Sequence, residues 1–334
     1  MTRRSDHPAG TLHRIYVDSA LLQNNRLNDP TRRAIDVYVP HGHDGTGLPL
    51  LVDIVGYTGS GLAHTAWKNF GENLPERLDR LIDTGQMGPA VVAFPDCFTR
   101  LGGNQYINSD AMGPWADIII TEFVPTIENQ FECGGDGKRA VFGKSSGGYG
   151  AIVHALLYAD FWAGAACHSG DMDFELCYAR DFPNALRAIT KAGSIKAFLD
   201  SVESNPKPSG SDIHVLMTLA MAATYDPCPD SYLGVRLPVN HHTCERNQAL
   251  WENWLKWDPL TLVETHHDEL RKLKALFIDC GDVDQYDLVY GARQLTRRLN
   301  ELDVPHRYEE FPDNHSGIDY RMDVSLPYLV KALS

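Results

Sequence analysis

The chain has 334 residues, of which 43% are hydrophobic, 22% charged and 10% aromatic. These proportions are ordinary for a folded globular protein and exclude disordered, collagenous and coiled-coil chains. Thirty Lys and Arg residues against 44 Asp and Glu residues give a net charge of −14, which repels phosphate backbones and anionic lipid surfaces and argues against a nucleic-acid partner.

Targeting signals and cysteine usage indicate the compartment. Residues 1–10 are polar and lack the apolar stretch of a secretory signal, and the most apolar run, 48–55, is too short to span a bilayer. The seven cysteines are odd in number, widely spaced and without a C-x-x-C pair, which favours reduced thiols over a disulfide framework or a zinc ribbon. We therefore expect a soluble, cytoplasmic protein with no membrane partner.

Short apolar runs bounded by turn residues alternate with helix-like stretches along most of the chain. This alternation is typical of an α/β fold, a mostly parallel sheet with helices on both faces. Apolar residues at helical spacing predict helices over 115–130 and 289–300. The predicted strands are 14–18, 34–40, 49–55, 90–95, 139–143, 163–168, 275–279 and 307–311.

The alternation of strands and helices breaks between residues 171 and 273. This segment contains several prolines, a loop-like stretch at 204–210 and amphipathic pieces such as 186–199. A segment of this length without strands would be unusual as a loop. We predict that it is a mainly helical cap inserted into a core formed by residues 1–170 and 274–334.

The string Gly-Lys-Ser-Ser-Gly at 143–147 matches G-x-S-x-G, the nucleophile elbow. An apolar strand enters the motif, and a run of small residues that can begin a helix leaves it. A helix N-terminus directed at Ser145 would stabilise negative charge that develops there. The alternative interpretation is a glycine-rich turn with an inert serine.

A serine hydroxyl needs a base to become a nucleophile, and the base needs an acid to orient it. In hydrolases built on a parallel sheet, the acid and then the histidine follow later strands. The turn after the seventh predicted strand carries Asp282, Asp284 and Asp287, and the turn after the eighth carries His315. His315 is therefore the predicted base, His168 is a rival base, and the pattern alone leaves the three carboxylates open.

Six segments resemble a known set of motifs in their order and spacing, without matching them at every position. They are R-x-x-x-V-Y-x-P at 33–40, H-G-x-x-G-S at 55–60, V-V-x-P-D at 91–96, S-x-G-G-x-G-A at 145–151, G-x-x-D at 280–284 and P-G-x-H at 311–315. Over most of its length outside the cap, the chain resembles the esterase family of α/β-hydrolases that includes S-formylglutathione hydrolase (esterase D), enterobactin-type esterases, feruloyl esterases and mycolyltransferases. The resemblance implies an α/β-hydrolase fold and a serine esterase that needs no cofactor.

The resemblance also assigns roles to residues. It implies that Asp284, the aspartate of G-x-x-D, is the acid beside Ser145 and His315. It puts the two backbone N–H groups of an oxyanion hole on Tyr57 and Ser146, where each donor can contribute about 3 kcal/mol to transition-state stabilisation.

The chain departs from the family pattern at two positions that flank the expected site. Val55 stands where the family has histidine, and Lys144 stands before the nucleophile where histidine is common. Lys144 would form a surface ion pair or contact an acidic substrate.

Residues near the expected substrate lie on loops and at strand ends. In the family, the long loop before the predicted helix 115–130 borders the acyl pocket. The segment 168–171 follows the sixth predicted strand, at the edge where open sheets bind ligands. The candidate substrate contacts are Gly56, Lys144, Tyr106, Asn108, Trp115 and His168.

A metal site is not expected. The histidine-rich stretches 241–244 and 266–269 contain adjacent residues, which do not face the same way on a helix or strand, and no H-x-x-x-H pair occurs. We predict a hydrolase of small-molecule carboxylic esters that works through an acyl-enzyme. An acyltransferase with the same triad and a non-catalytic binding protein remain the alternatives. Family members are often dimers, so the resemblance allows a homodimer.

Overall fold

The computed structural model describes residues 6–334, so residues 1–5 of the polar N-terminal segment lie outside the described part. Its strands are β1 (Thr11–Asp18), β2 (Arg32–Val39), β3 (Leu50–Ile54), β4 (Val91–Pro95), β5 (Asn108–Ser109), β6 (Gly113–Pro114), β7 (Arg139–Lys144), β8 (Gly164–His168), β9 (Ala275–Gly281) and β10 (Arg307–Phe311). Eight of them form one sheet in the order β1-β2-β4-β3-β7-β8-β9-β10, and β5 pairs with β6. The predicted eight-stranded sheet is confirmed, with strand ends that differ from the prediction by no more than three residues.

The sheet is antiparallel at one edge and parallel elsewhere. β1 pairs with β2 and β2 with β4 in antiparallel register, whereas β4, β3, β7, β8, β9 and β10 run parallel. Every residue of β3, β4, β8 and β9 is buried, as expected for strands covered on both faces. The carboxyl ends of the parallel strands therefore meet at one edge, where the loops that follow them can form a site.

Helices cover both faces of the sheet. They are α1 (Gly61–Thr65), α2 (Leu74–Asp83), α3 (Trp115–Asp117), α4 (Val124–Phe131), α5 (Ser146–Leu157), α6 (Phe174–Cys177), α7 (Phe182–Ala192), α8 (Ile195–Ser204), α9 (Gly210–Tyr225), α10 (Gln248–Leu255), α11 (Pro259–Leu270), α12 (Leu288–Glu301) and α13 (Met322–Leu333). A π-helical stretch, Ile118–Phe123, joins α3 to α4, so continuous helix covers the predicted 115–130. None of the helices in residues 6–334 combines the length and apolar character needed to cross a membrane.

Strand β4 shows how the sheet separates two hydrophobic cores. Val91 and Ala93 belong to the core that also contains apolar residues of α4, α5, α11 and α12. Val92 and Phe94 belong to the core on the other face, with apolar residues of α2 and α13. Because successive side chains of a strand point to opposite faces, one fully apolar strand supplies both cores.

The chain between β8 and β9 contains the helices α6 to α11, with irregular backbone between α9 and α10. The amphipathic stretch 186–199 is not one helix, because α7 ends at Gly193 in the left-handed conformation (φ 92°) and α8 begins after Ser194. α11 packs against α5 and α12. The limits 171 and 273 of a separate cap stay a prediction.

Candidate active site

Ser145 lies between β7 and α5 in a backbone conformation that few residues adopt. Its φ is 59° and its ψ is −124°, outside the favoured regions for a residue with a side chain. The flanking glycines allow this turn to approach β3: a Cβ atom on Gly143 would lie 2.0 Å from the carbonyl oxygen of Ile54, and one on Gly147 would lie 1.8 Å from the same atom. The G-x-S-x-G sequence thus folds as a sharp strand-to-helix elbow.

The serine hydroxyl is not used in capping the helix that follows. Ser145 precedes α5 as its N-cap, but its side chain accepts no capping hydrogen bond. Its backbone is fixed instead, because its N–H donates to the carbonyl of His168 at 2.9 Å and its carbonyl accepts from Tyr149 N–H at 2.8 Å. The hydroxyl is therefore held at the positive end of the α5 dipole without being consumed by it.

An acid and an imidazole are paired in the turns that follow β9 and β10. His315 Nδ1 donates to Asp284 Oδ2 at 2.7 Å, and the backbone N–H of Tyr286 donates to Asp284 Oδ1 at 2.9 Å. The Tyr286 ring packs edge-on against the imidazole, with centroids 4.9 Å apart. With Nδ1 engaged, the other ring nitrogen of His315, Nε2, is left to exchange a proton.

The other two carboxylates of the acid turn point elsewhere. Asp282 is exposed, and Asp287 forms an ion pair with Arg180. A Cβ on Gly281 would lie 2.2 Å from the carbonyl oxygen of Asp313, so only glycine lets the acid turn and the histidine turn approach this closely. The structure therefore brings Asp284, and neither of its neighbours, to His315.

Ser145 and His315 line the same cavity, whose volume is about 340 Å³. The described residues include no hydrogen bond between these two side chains, and such contacts often tighten only when substrate binds. The cavity walls combine polar groups from strand ends with apolar groups from the helical segment. Its lining residues are Gly56, Tyr57, Thr58, Lys144, Ser145, Asp171, Cys177, Tyr178, Met217, Tyr286, Leu288, His315, Ser316 and Gly317.

The loop after β3 lies directly against the elbow. A Cβ on Gly56 would be 3.4 Å from the Cβ of Ser145, so the next residue, Tyr57, is near the serine. Tyr57 is held in turn, because its hydroxyl donates to the carbonyl of Leu101 and a Cβ on Gly103 would come within 2.0 Å of its carbonyl oxygen. The backbone of this loop is thus fixed by packing on the loop after β4.

Val55, which stands where the family pattern has histidine, contributes to the same loop through its backbone. Its carbonyl accepts a hydrogen bond of 2.6 Å from the hydroxyl of Tyr106. Tyr106 is buried and has a positive φ of 62°. Tyr106 supports the loop through this hydrogen bond and is not one of the residues that line the cavity.

Lys144 lines the cavity and holds the histidine turn. Its Nζ donates to the backbone carbonyl of His315 at 3.1 Å. Burial lowers the pKa of the Lys144 ammonium, and the nearby carboxylates of Asp319 and Asp284 oppose this shift. Lys144 therefore does not form, with any described residue, the surface ion pair that was one of its two expected roles. It lines the cavity and hydrogen-bonds to the turn that carries His315.

Four of the predicted substrate contacts lie away from the cavity. Besides Tyr106, these are Trp115 and Asn108. Trp115 is buried and its indole N–H donates to the carbonyl of Met112, and the side-chain oxygen of Asn108 accepts from the backbone N–H of Asp117. His168 is buried between Asp279 and Ser325. Each of the four has a protein partner that turns its polar group away from the cavity, which a strand-end or loop position in the sequence does not reveal.

Asp171 lines the cavity. It belongs to the segment 168–171 at the end of the sixth predicted strand, and no sequence motif assigns it a role. Its Oδ2 accepts hydrogen bonds from the hydroxyls of Ser146 at 3.2 Å and Tyr178 at 2.8 Å. Burial raises the pKa of the Asp171 carboxyl, and these hydrogen bonds oppose the shift. The feature of the sequence that could have indicated Asp171 is its position just after a parallel strand, where open sheets bind ligands.

Cys177, Tyr178 and Met217 also line the cavity, and they come from α6, α9 and the connection after α6. No motif marks these residues, because their place depends on how the helical segment folds back over the sheet edge. No group of three or more His, Cys, Asp or Glu side chains in residues 6–334 is arranged to hold a metal ion.

Comparison with known proteins gives a family and a fold. Residues 26–324 match the model of the family described as "Putative esterase". A ferulic acid esterase superposes with a TM-score of 0.61 at 17% identity, over 97% of this chain and 99% of that chain. An S-formylglutathione hydrolase from Agrobacterium tumefaciens superposes with a TM-score of 0.58 at 16% identity, over 98% of this chain and 97% of that chain.

A fluorophosphonate-binding serine hydrolase from Staphylococcus aureus, solved with substrate bound, gives a TM-score of 0.58 at 15% identity, over 96% of this chain and 99% of that chain. No curated protein sequence matches the chain. At these identities the superpositions establish the α/β-hydrolase fold.

Proposed function

Because the chain belongs to the "Putative esterase" family, we propose that it is a serine carboxylic-ester hydrolase with Ser145 as nucleophile, His315 as base and Asp284 as orienting acid. One observation carries the proposal. The strained, uncapped Ser145 lines the same cavity as an imidazole whose Nδ1 is bonded to a buried carboxylate.

In the first step, Ser145 Oγ attacks the carbonyl carbon of the ester while His315 Nε2 takes the hydroxyl proton. The imidazolium that forms is stabilised by Asp284, whose Oδ2 already accepts from Nδ1 at 2.7 Å. The hydrogen bond of Lys144 to the His315 carbonyl supports the same turn. These contacts keep the ring oriented, which spares the reaction the cost of arranging it.

The negative charge on the carbonyl oxygen needs hydrogen-bond donors. Ser146 is the first residue of α5, so its N–H lacks an intrahelical partner. Tyr57 is the residue after Gly56, and Gly56 lies beside Ser145, so the backbone N–H of Tyr57 is close to the serine. We assign the oxyanion hole to these two backbone groups, and each is expected to contribute about 3 kcal/mol.

The proton held by His315 then passes to the leaving alcohol, and the acyl group stays on Ser145. Water, deprotonated by His315, attacks the acyl-enzyme and releases the acid and the free serine. An alcohol or thiol in place of water would give acyl transfer, so products formed in the presence of such acceptors distinguish the two reactions.

The test compares Ser145→Ala with Ser316→Ala, which removes a hydroxyl from the same cavity wall. Wild type and Ser316→Ala should hydrolyse p-nitrophenyl acetate and be labelled by a fluorophosphonate. Ser145→Ala should lose labelling and on the order of 10³-fold or more in kcat. Full activity of folded Ser145→Ala would refute the assignment, and a wild type that neither turns over nor labels would favour a binding protein.

A further inference from the structure

The cavity contains a buried carboxylate that the proposed reaction does not use. Asp171 is 6% exposed and lines the wall shared by Ser145 and His315. The hydroxyls of Ser146 and Tyr178 both donate to Oδ2, and the neutral amide of Gln105 lies near enough to favour the carboxylate as well. The other oxygen, Oδ1, accepts no hydrogen bond from the described residues.

Neither partner of Asp171 carries a positive charge, since both are hydroxyl groups. The two side chains of the cavity wall that can carry a positive charge, Lys144 and His315, form their hydrogen bonds with other groups. Lys144 donates to the carbonyl of His315 and is coupled to Asp319 and Asp284, and the imidazole of His315 is bonded to Asp284. Within residues 6–334, Asp171 therefore forms no salt bridge, and the nearest opposite charge is that of the His315 imidazole when it is protonated.

A buried carboxylate without a full set of donors is costly unless something solvates or pairs with it. Water can do so while the cavity is empty. A substrate that fills the cavity displaces this water, and it loses affinity unless one of its own groups replaces the lost hydrogen bonds. Sites of this kind reject analogues that lack the donor far more strongly than apolar pockets reject a missing methylene.

The other walls show what the donor must be attached to. Cys177, Met217 and Leu288 present apolar surface, and Tyr178 and Tyr286 present aromatic surface. An apolar stem between the donor group and the ester carbonyl would lie against these side chains. A cationic N–H group at the end of that stem would supply both the hydrogen bond and the charge that the hydroxyl partners of Asp171 lack.

We propose that Asp171 is a specificity-determining residue that selects esters bearing a primary ammonium group on an apolar stem, with the ammonium bound at Oδ1. This inference rests on the proposed esterase function, because the selection is expressed as a difference between hydrolysis rates. It assigns the site a substrate class, amine-bearing esters, that its triad alone does not specify.

The experiment uses matched esters that differ only in the terminal group. The acyl series is methyl 4-(aminomethyl)benzoate, methyl 4-(hydroxymethyl)benzoate and methyl 4-ethylbenzoate, and the alcohol series is the corresponding para-substituted phenyl acetates. In at least one series, wild type should show a kcat/KM for the ammonium ester that is at least about tenfold above that of the ethyl ester, with the hydroxyl ester between them.

Asp171→Asn keeps the shape of the side chain and removes its charge. It should bring the ammonium-to-ethyl ratio of kcat/KM close to one. Asp282→Asn removes the same charge from an exposed position on the acid turn and should leave the ratio as in wild type. Using the ratio makes the test independent of any general loss of activity in the variant.

A measurement on wild type alone covers the case in which Asp171→Asn does not fold. Benzylamine at neutral pH should inhibit p-nitrophenyl acetate hydrolysis competitively and at least about tenfold more tightly than benzyl alcohol. Equal rates within both series, equal inhibition, or a ratio that survives in folded Asp171→Asn would overturn the inference while leaving the esterase intact. A wild type that hydrolyses none of these esters and no p-nitrophenyl acetate would overturn the proposed function itself.

Discussion

Single residues hold the elbow in a conformation that its backbone would otherwise avoid. Ser145 has a positive φ and Gly147 brings α5 against the carbonyl of Ile54. Conformations of this kind cost of order 1–3 kcal/mol and persist where the surrounding structure enforces them. The glycines of the motif are therefore required by close backbone approach and not only by flexibility.

Replacing Gly147 by alanine tests this requirement. The added Cβ would lie 1.8 Å from the carbonyl oxygen of Ile54, a backbone atom that no rotamer change can move. We expect Gly147→Ala to lower the free energy of unfolding by about 3 kcal/mol or more, and to abolish hydrolysis. Urea denaturation gives the first value and p-nitrophenyl acetate the second.

The control is Gly210→Ala, because a Cβ at Gly210 meets no atom within 4 Å. Its stability should stay the same or rise by up to about 1 kcal/mol. Similar losses in both variants would show that the close approach at Gly147 is not what matters.

The pairing of Asp284 with His315 gives a second prediction at this scale. Asp284→Asn keeps the shape but no longer stabilises the imidazolium, so kcat should fall on the order of 10³- to 10⁴-fold with little change in stability. Asp282→Asn alters an exposed neighbour, and its kcat should fall by less than about twofold relative to wild type. A comparable loss of kcat in Asp282→Asn would move the acid role away from Asp284.

At the scale of elements, a buried network joins the turn after β10 to the strands beside it. Asp279 on β9 accepts from His168 Nδ1 at 2.7 Å and from Arg321 Nε at 2.8 Å. Arg321 also pairs with Glu309 on β10, and it follows His315 by only six positions in the sequence. The network thus ties the histidine turn to two strands of the sheet.

Arg321→Met would leave the carboxylate of Asp279 buried without its cation. Breaking a buried pair in this way typically costs about 3–5 kcal/mol, so we expect a loss of about 3 kcal/mol in urea denaturation and a lower kcat. Arg297→Met is the control, since Arg297 is 74% exposed and its nitrogen lies 3.8 Å from Glu301, and it should cost less than about 0.5 kcal/mol. A loss below 1 kcal/mol in Arg321→Met would argue against an anchoring role.

Another connection between elements depends on pH. Asp258 caps α11 and accepts hydrogen bonds from the backbone N–H groups of Phe174 at 2.7 Å and Leu260 at 3.0 Å, which joins α11 to α6. Burial raises the pKa of Asp258 to about 6. Between the unfolded pKa of about 3.8 and this value, the folded chain holds a proton that the unfolded chain has lost.

The contribution of Asp258 to the free energy of unfolding is therefore present in full below about pH 3.8 and is lost as the pH rises through about 6. The total loss is about 3 kcal/mol. Asp258→Asn cannot titrate, so the stability of the variant relative to wild type should improve between pH 4.5 and pH 7 in urea denaturation. Asp230→Asn removes a carboxylate from an exposed position and serves as the reference for the loss of one negative charge. A pH-independent difference between Asp258→Asn and wild type would contradict the assigned pKa.

At the scale of the whole molecule, sheet order and net charge act on the site together. The strands β3, β7, β8 and β9 are adjacent, with β10 next at the edge, so the loops after them converge at one edge although they are far apart in sequence. The net charge of −14 gives the molecule as a whole a long-range attraction for cations.

The net charge gives a prediction for charged substrates. It should attract the ammonium esters proposed above, and salt should screen the attraction. Raising NaCl from about 20 mM to about 500 mM should lower kcat/KM for methyl 4-(aminomethyl)benzoate severalfold, with little effect on methyl 4-ethylbenzoate. Equal salt dependence of the two esters would show that net charge does not contribute to substrate capture.

Local sequence patterns are sufficient to predict the strands and helices of the fold, because these patterns depend on the spacing of apolar residues within a short window. All eight sheet strands and the helices at 115–130 and 289–300 are found. The elbow at Ser145 was predictable for the same reason, since its glycines and its small-residue helix start are local features. Chain order also indicated the turns that carry Asp284 and His315, whose catalytic roles stay predictions.

Which side chains reach the cavity depends on contacts between distant parts of the chain. The turn sequence leaves Asp282, Asp284 and Asp287 equivalent, and it is the course of the turn against the one after β10 that brings Asp284 to the imidazole. Asp171 faces the cavity while His168, three residues earlier, is buried against Asp279. Contacts of this kind join residues remote in the chain, so they depend on strand order and helix packing, which local sequence patterns do not encode.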